Sequence, residues 1–127
     1  MHSILAAELG RDQEAFDFFR FAARIDLDNY NRNTHEGIHM TSIAAAWMNI
    51  VYGFGGMRSD GNLLSFQPSI PGCWQGYSFQ VVYRGALIRL EVSREKATLR
   101  VVNGPSVHIR FCGQERDIDQ EGVTVAL

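Results

Sequence analysis

The chain reads as α+β, with helices in its first part and antiparallel strands in its second. Three observations predict this. Up to about residue 52, apolar residues recur at helical spacing. From about residue 63 they recur at every second position, the period of a strand. Between the two lie Gly53, Gly55 and Gly56, then the turn cluster Ser59, Asp60, Gly61 and Asn62. Helices followed by strands, segregated along the chain, is the α+β arrangement. The expected division is a helical segment over 1–57 and an antiparallel β-sandwich domain over 58–127.

Each element has its own grounds. Residues 3–9 predict a short helix, with Ser3 as cap, Ile4, Leu5 and Leu9 as its apolar side, and Gly10 as its stop. Residues 12–25 predict a second helix, capped by Asp12 with Glu14 in its first turn. Ala15, Phe18, Phe19, Ala22, Ala23 and Ile25 form its apolar stripe. The short turn between the two predicts an antiparallel helical hairpin. Residues 26–33 are rich in Asp and Asn, which favour turns by bonding their own backbone.

The third helix is predicted over 35–52, with Thr34 as N-cap and Glu36 at the positive end. Met40, Ile43, Trp47, Ile50 and Val51 recur on one side; Ile38, Ala45, Met48 and Tyr52 make the other side hardly more polar. A helix apolar all round is expected to be buried all round. In the second part, strands are predicted over 63–66, 77–84, 87–93, 97–103 and 107–112, with two more short ones at 114–118 and 123–127. Ile88, Leu90, Val92, Ala97, Leu99, Val101, Val107, Ile109 and Phe111 should face inward. The connections at residues 84–86, 94–96 and 103–105 are each short enough for a hairpin.

Composition removes several classes of function. The 127 residues are 46% hydrophobic and 20% charged, as in a globular chain. A formal net charge of −2 predicts neither a nucleic-acid partner nor a membrane-surface one. No apolar run reaches the ~18 residues of a membrane span. MHSILAAELGRD lacks the basic start and cleavage site of a secretory signal. Cys73 and Cys112 are too few for a disulfide framework, so free thiols and a cytoplasmic location are expected.

Several residues invite a chemical role. His39 falls in the first turn of the predicted third helix, where free N–H groups and the dipole suit an anion. The same position also suits a core or capping histidine. His35 and His39 are four apart, a spacing by which a helix can present a zinc pair. No third ligand accompanies them, and the intervening Glu-Gly-Ile does not match the zinc-protease pattern, so no metal is expected. Asp26, Asp28 and Glu36 could be taken for a glycosidase carboxylate pair. Trp74 and Tyr77 suit either a sugar-stacking platform or the closure of one end of the sandwich. Nothing beside Cys73 or Cys112 activates a thiolate.

Four blocks carry a family resemblance. They are HSILAAELG, NTHEGIH with its alanine-rich continuation, VYGFGGMR, and LSFQPSIPGCWQGYSFQVVYRGALIRLEV. In this order, over roughly residues 2 to 100, they resemble glycoside hydrolase family 65, the maltose, trehalose and kojibiose phosphorylases and their relatives. The resemblance implies the end of an (α/α)6 barrel followed by a small antiparallel β-domain. It implies that His39 belongs to an inorganic-phosphate site, with Thr34 and Thr41 as neighbours. It also implies that the general acid of an inverting phosphorolysis is a glutamate of an earlier region, so no catalytic residue is assigned here.

The chains of that family are several times longer, so a C-terminal piece, inactive by itself, is expected. The implied partners are an α-glucosyl disaccharide and phosphate, the latter a co-substrate in place of any cofactor. Apolar helix faces without their barrel neighbours predict a homo-oligomer. Two alternatives stay open: a standalone carbohydrate-binding or interaction module, and a piece of a family-65 hydrolase.

Overall fold

In the computed structural model, which describes residues 1–127, helix α1 spans His2–Glu8 and helix α2 spans Asp12–Arg24. Gly10 ends α1 in a left-handed conformation (φ 68°). There the Arg11 N–H returns to the Ala6 carbonyl at 2.9 Å and the Gly10 N–H to that of Ala7 at 3.0 Å. These two bonds satisfy carbonyls that the helix end would otherwise leave bare, in the Schellman pattern. Ser3 is not the cap expected of it. It lies inside α1, is buried, and its hydroxyl donates to the Ala15 carbonyl at 2.8 Å. That bond ties α1 to α2 where Ala15, fully buried, lets the helices approach. Asp12 is likewise the first residue of α2 rather than its cap, which is Arg11.

The third helix departs most from expectation. Thr34–Glu36 forms a separate 3₁₀ turn, and Gly37 then breaks the path at φ 130°. Helix α3 spans only Met40–Met48 with His39 at its cap, and Asn49–Phe54 continues as a π-helical turn. Thr34 therefore caps nothing in α3. Its hydroxyl and its N–H both point to Asn29 Oδ1, at 2.8 and 3.3 Å. The expectation of all-round burial also fails, for no residue of α3 itself is buried and Ile43 and Trp47 are half exposed. An apolar surface records what a helix can bury, and this unit offers α3 neighbours on one side only. Burial concentrates instead in the π turn, at Asn49, Val51, Gly53 and Phe54. The backbone separates into two units, Met1–Phe54 and Gly55–Leu127.

The second unit is built from β1 (Ser65–Phe66), β2 (Gly76–Tyr83), β3 (Ala86–Ser93), β4 (Lys96–Asn103), β5 (Val107–Phe111), β6 (Gln114–Ile118) and β7 (Val123–Ala126). They form two sheets, β2-β3-β4-β7 and β1-β5-β6. The inward residues are those expected: Ile88, Leu90, Val92, Ala97, Leu99, Val101, Val107, Ile109 and Phe111 are all buried, joined by Phe66 and Ile118. Strict alternation on β3, β4 and β5 leaves one face of each strand to the core.

Arg84 (φ 48°) and Gly85 (φ 80°) form a two-residue turn with both dihedrals positive, and Cys112 with Gly113 repeats it between β5 and β6. Such turns match the right-handed twist of the strands they join. The expected hairpin at residues 103–105 does not form. β4 and β5 belong to different sheets, and the chain crosses between them at Gly104, whose φ of 103° turns it out of the β4 direction. The β1–β5 pair is parallel, so the unit is antiparallel-rich rather than wholly antiparallel. No helix is long and apolar enough to cross a membrane.

Candidate functional site

The residues singled out around His39 meet in the connection between α2 and α3. The His39 backbone N–H donates to Asp26 Oδ2 at 2.8 Å, and the ring Nδ1 is hydrogen-bonded to Asp26 Oδ1. One carboxylate thus holds both the cap position of α3 and the imidazole. On the other edge of the ring, Nε2 lies 3.3 Å from Asn33 Nδ2. The Asn33 Oδ1 atom is buried with no partner. The hydrogen bond from the His39 ring, then that from its N–H, hold the Asp26 carboxyl below the usual carboxylate range. Asp26 is therefore ionised at neutral pH and can only accept hydrogen bonds.

The loop between these residues is locally costly. Asn29 and Arg32 both take left-handed dihedrals, φ 45° and 56°. Asn tolerates this region; for Arg it costs about 1–2 kcal/mol. Neighbouring bonds hold the loop in place. Arg24 donates to both carboxylate oxygens of Asp28, at 2.8 and 2.6 Å. Hydrogen bonding to Arg24 keeps Asp28 below its ordinary range. Asp28 is thus engaged by a cation and Asp26 by His39, so neither is poised as a protonated acid.

Of the three expected phosphate contacts, His39 is held on two sides. Thr41 is exposed in the first turn of α3. Thr34 has its hydroxyl hydrogen committed to Asn29 and could only accept from a ligand. From the sequence, Asp26 reads only as a possible glycosidase carboxylate. Its contact with a residue thirteen positions away has no periodic signal in the sequence. The His35–His39 spacing does not become a pair on one helix, because the 3₁₀ turn and Gly37 separate them. His35 is exposed, with Nε2 4.0 Å from the Glu36 carboxylate.

In the second unit, Trp74 and Tyr77 meet edge-on at 5.8 Å between ring centroids, and Tyr77 stacks on Phe79 at 6.4 Å. The Tyr77 hydroxyl donates to the Ser69 carbonyl at 2.8 Å, and burial pushes its ionisation upward. Arg94 pins the loop before it by donating to the carbonyls of Gly72 (2.7 Å) and Trp74 (2.9 Å). Tyr77 is thus packed against protein on its ring and bonded at its tip, which is the end-closing role. Cys73 and Cys112 are free, and burial raises the Cys112 thiol, away from a reactive thiolate.

Comparison with known proteins follows the same two-part division of the sequence. Residues 1–48 match the glycosyl hydrolase family 65 central catalytic domain, and residues 57–118 match that family's C-terminal domain. The chain is 43% identical over 109 residues to the maltose phosphorylase of Bacillus subtilis (strain 168), covering 86% of this chain and 14% of that protein. It is 37% identical over 119 residues to the α,α-trehalose phosphorylase of Geobacillus stearothermophilus, covering 94% and 16%. A solved structure from the human microbiome, provisionally assigned as a kojibiose phosphorylase, superposes with a TM-score of 0.91 at 38% identity, over 99% of this chain and 17% of that one. The chain therefore spans about a sixth of the length of the proteins it matches. The family is the one that NTHEGIH and the later blocks point to.

Proposed function

The chain belongs to glycosyl hydrolase family 65, and from that premise we propose that it carries the phosphate-binding corner and the C-terminal β-domain of a glycoside phosphorylase acting on an α-glucosyl disaccharide. In this reading α1, α2 and α3 are the last helices of an (α/α)6 catalytic barrel. His39 contacts inorganic phosphate, Thr41 adds a hydroxyl from the first turn of α3, and Thr34 holds the loop and can meet a ligand only as an acceptor. The whole reaction is inverting phosphorolysis. An acid protonates the glycosidic oxygen while phosphate attacks the anomeric carbon from the opposite face, giving β-glucose 1-phosphate and a free sugar. No acid for that step is assigned to this chain.

The observation that carries the proposal is the placement of His39. It sits at the cap of α3, within the stretch that matches the catalytic domain, with its ring oriented by Asp26. The Asp26 carboxylate already takes the His39 N–H at the start of α3, so it is the aimed imidazole that suits an anion. The engaged state of Tyr77 weakens the alternative of a standalone sugar-binding module, which would need that ring free. A hydrolase would need no phosphate site, so phosphate binding separates the two enzyme readings.

The exposed apolar side chains of α2 and α3, Phe18, Phe21, Ile43 and Trp47 among them, support a homo-oligomer built through helix faces. A cytoplasmic location belongs to the same proposal, supported by the two free cysteines.

The test is calorimetric titration of the 127-residue chain with inorganic phosphate, beside His39→Ala, with molar mass by light scattering on the same samples. Binding by the wild type that is lost in the variant is expected, from a species larger than a monomer, with no turnover of maltose, trehalose or kojibiose. Equal binding by both proteins, or none by the folded wild type, would remove His39 from the phosphate site.

A further inference from the structure

We infer that Asp26 is the positioning residue of the His39 site: it fixes the imidazole with its proton on Nδ1 and leaves Nε2 as the atom that meets the anion. This rests on the reading of His39 as a phosphate contact and adds to it how the ring is set.

Asp26 Oδ2 accepts from the His39 backbone N–H at 2.8 Å, and Oδ1 is bonded to Nδ1. An ionised carboxylate cannot donate, so Nδ1 must carry the hydrogen. Two contacts to one residue, one on the backbone and one on the ring, fix both the position of His39 and the rotation of its imidazole. Nothing in His39 alone would select this form; the carboxylate selects it.

Asn33 is the other partner of the ring, and it is built to follow rather than to fix. Its Nδ2 lies 3.3 Å from Nε2, while its Oδ1 is buried without a partner. An amide with one orphaned end can turn over, exchanging donor for acceptor. It can thus serve Nε2 whether that nitrogen is bare or protonated. A phosphate ion that displaces the Asn33 amide can meet Nε2 in the same two senses. A protonated phosphate oxygen can donate to the bare nitrogen, or the imidazolium can donate to an unprotonated oxygen. In both cases Nδ1 stays on Asp26, whose negative charge balances the imidazolium when it forms. No other charged group is bonded to the ring: Arg24, at the end of α2, and Asp28, on the connection, satisfy each other.

The experiment is ¹⁵N NMR of the histidine rings in the wild-type chain and in Asp26→Asn, at a pH high enough for neutral rings, followed by a titration with inorganic phosphate. In the wild type, His39 is expected with Nδ1 protonated and Nε2 bare. In Asp26→Asn a single carbonyl remains to serve two donors. The amide NH₂ then faces either the backbone N–H, where it clashes, or Nδ1, where it demands the opposite tautomer. The proton is expected to move to Nε2. On adding phosphate, the wild-type Nε2 resonance should shift while Nδ1 holds, and Asp26→Asn should bind at least tenfold more weakly.

A wild-type ring protonated on Nε2, or the same tautomer in both proteins, overturns the inference. The wild-type spectrum decides by itself should Asp26→Asn fail to fold. A titration that moves neither nitrogen counts against phosphate at His39, while the tautomer comparison still decides the role of Asp26.

Discussion

Leu99→Ala tests whether the second unit is held by the row of side chains that crosses its larger sheet. Leu99 is 0% exposed, and the register places it opposite Leu90 on β3 and Val123 on β7, with Phe79 beyond on β2. Truncation removes three carbon groups, worth about 2.4 kcal/mol at about 0.8 each. The space left adds about 24 cal/mol for each Å³ that does not collapse. Leu99 is flanked by strands on both sides, and its backbone is fixed by two ladders, so little collapse is expected. The total comes to about 3–4 kcal/mol.

A unit of this size is stable by roughly 4–11 kcal/mol. The variant should therefore lose a large part of its margin, and its melting temperature should fall by about 12–30 °C at about 4–8 °C per kcal/mol. Val82→Ala is the matched control. Val82 lies on edge strand β2, is 75% exposed, and should change stability by less than about 0.5 kcal/mol. Urea denaturation followed by circular dichroism measures both. A loss below about 1 kcal/mol for Leu99→Ala, or one no larger than that of Val82→Ala, would refute this account of the core.

Three further outcomes follow from particular contacts. Gly104→Ala should destabilise the same unit by about 2 kcal/mol or more, because φ is 103° and an added Cβ would lie 2.5 Å from the Gly85 carbonyl oxygen; a neutral result in urea denaturation would contradict the crossing described here. Tyr77→Phe should cost about 1–2 kcal/mol, since it leaves the Ser69 carbonyl without its 2.8 Å donor, and should leave any sugar binding unchanged; calorimetry with maltose checks the second half. His108 faces Asp117 at 2.8 Å and Glu115 at 3.6 Å, and the Asp117 hydrogen bond raises its ionisation above the ordinary histidine value. A raised folded value gives stability that is fully present below the unfolded histidine pKa and is lost as pH rises through the folded one. Wild type should thus exceed His108→Asn in urea midpoint at pH 6, with the gap closing toward pH 9 and shrinking in high salt; a gap that widens with pH would be the opposite sign.

Much of the fold was legible because its signals are local. The period-2 alternation of Ile88, Leu90 and Val92, and of Ala97, Leu99 and Val101, needs only a sheet to face, whichever strand comes next. Gly10 stops α1 because only its own dihedrals and the preceding turn are involved. The family, too, was carried by short blocks that stand in order along the chain.

What required the tertiary structure were choices among partners distant in sequence. Whether β4 turns back on itself or crosses to the other sheet depends on where β1 and β6 lie, since β5 pairs with them. Thr34 lost the capping role to a hydrogen bond with Asn29, made possible by a loop that holds Asn29 left-handed. Asp26 and His39 meet although they stand thirteen positions apart on a non-repeating connection, and no spacing rule announces that contact. The sequence by itself determined which residues are apolar, where the backbone can break, and which family the chain resembles, because those properties reside in each residue and its near neighbours. Only the tertiary structure decided which carboxylate holds which histidine, because a hydrogen bond is made by the atoms that arrive within 3 Å of each other, and chain order does not fix that distance.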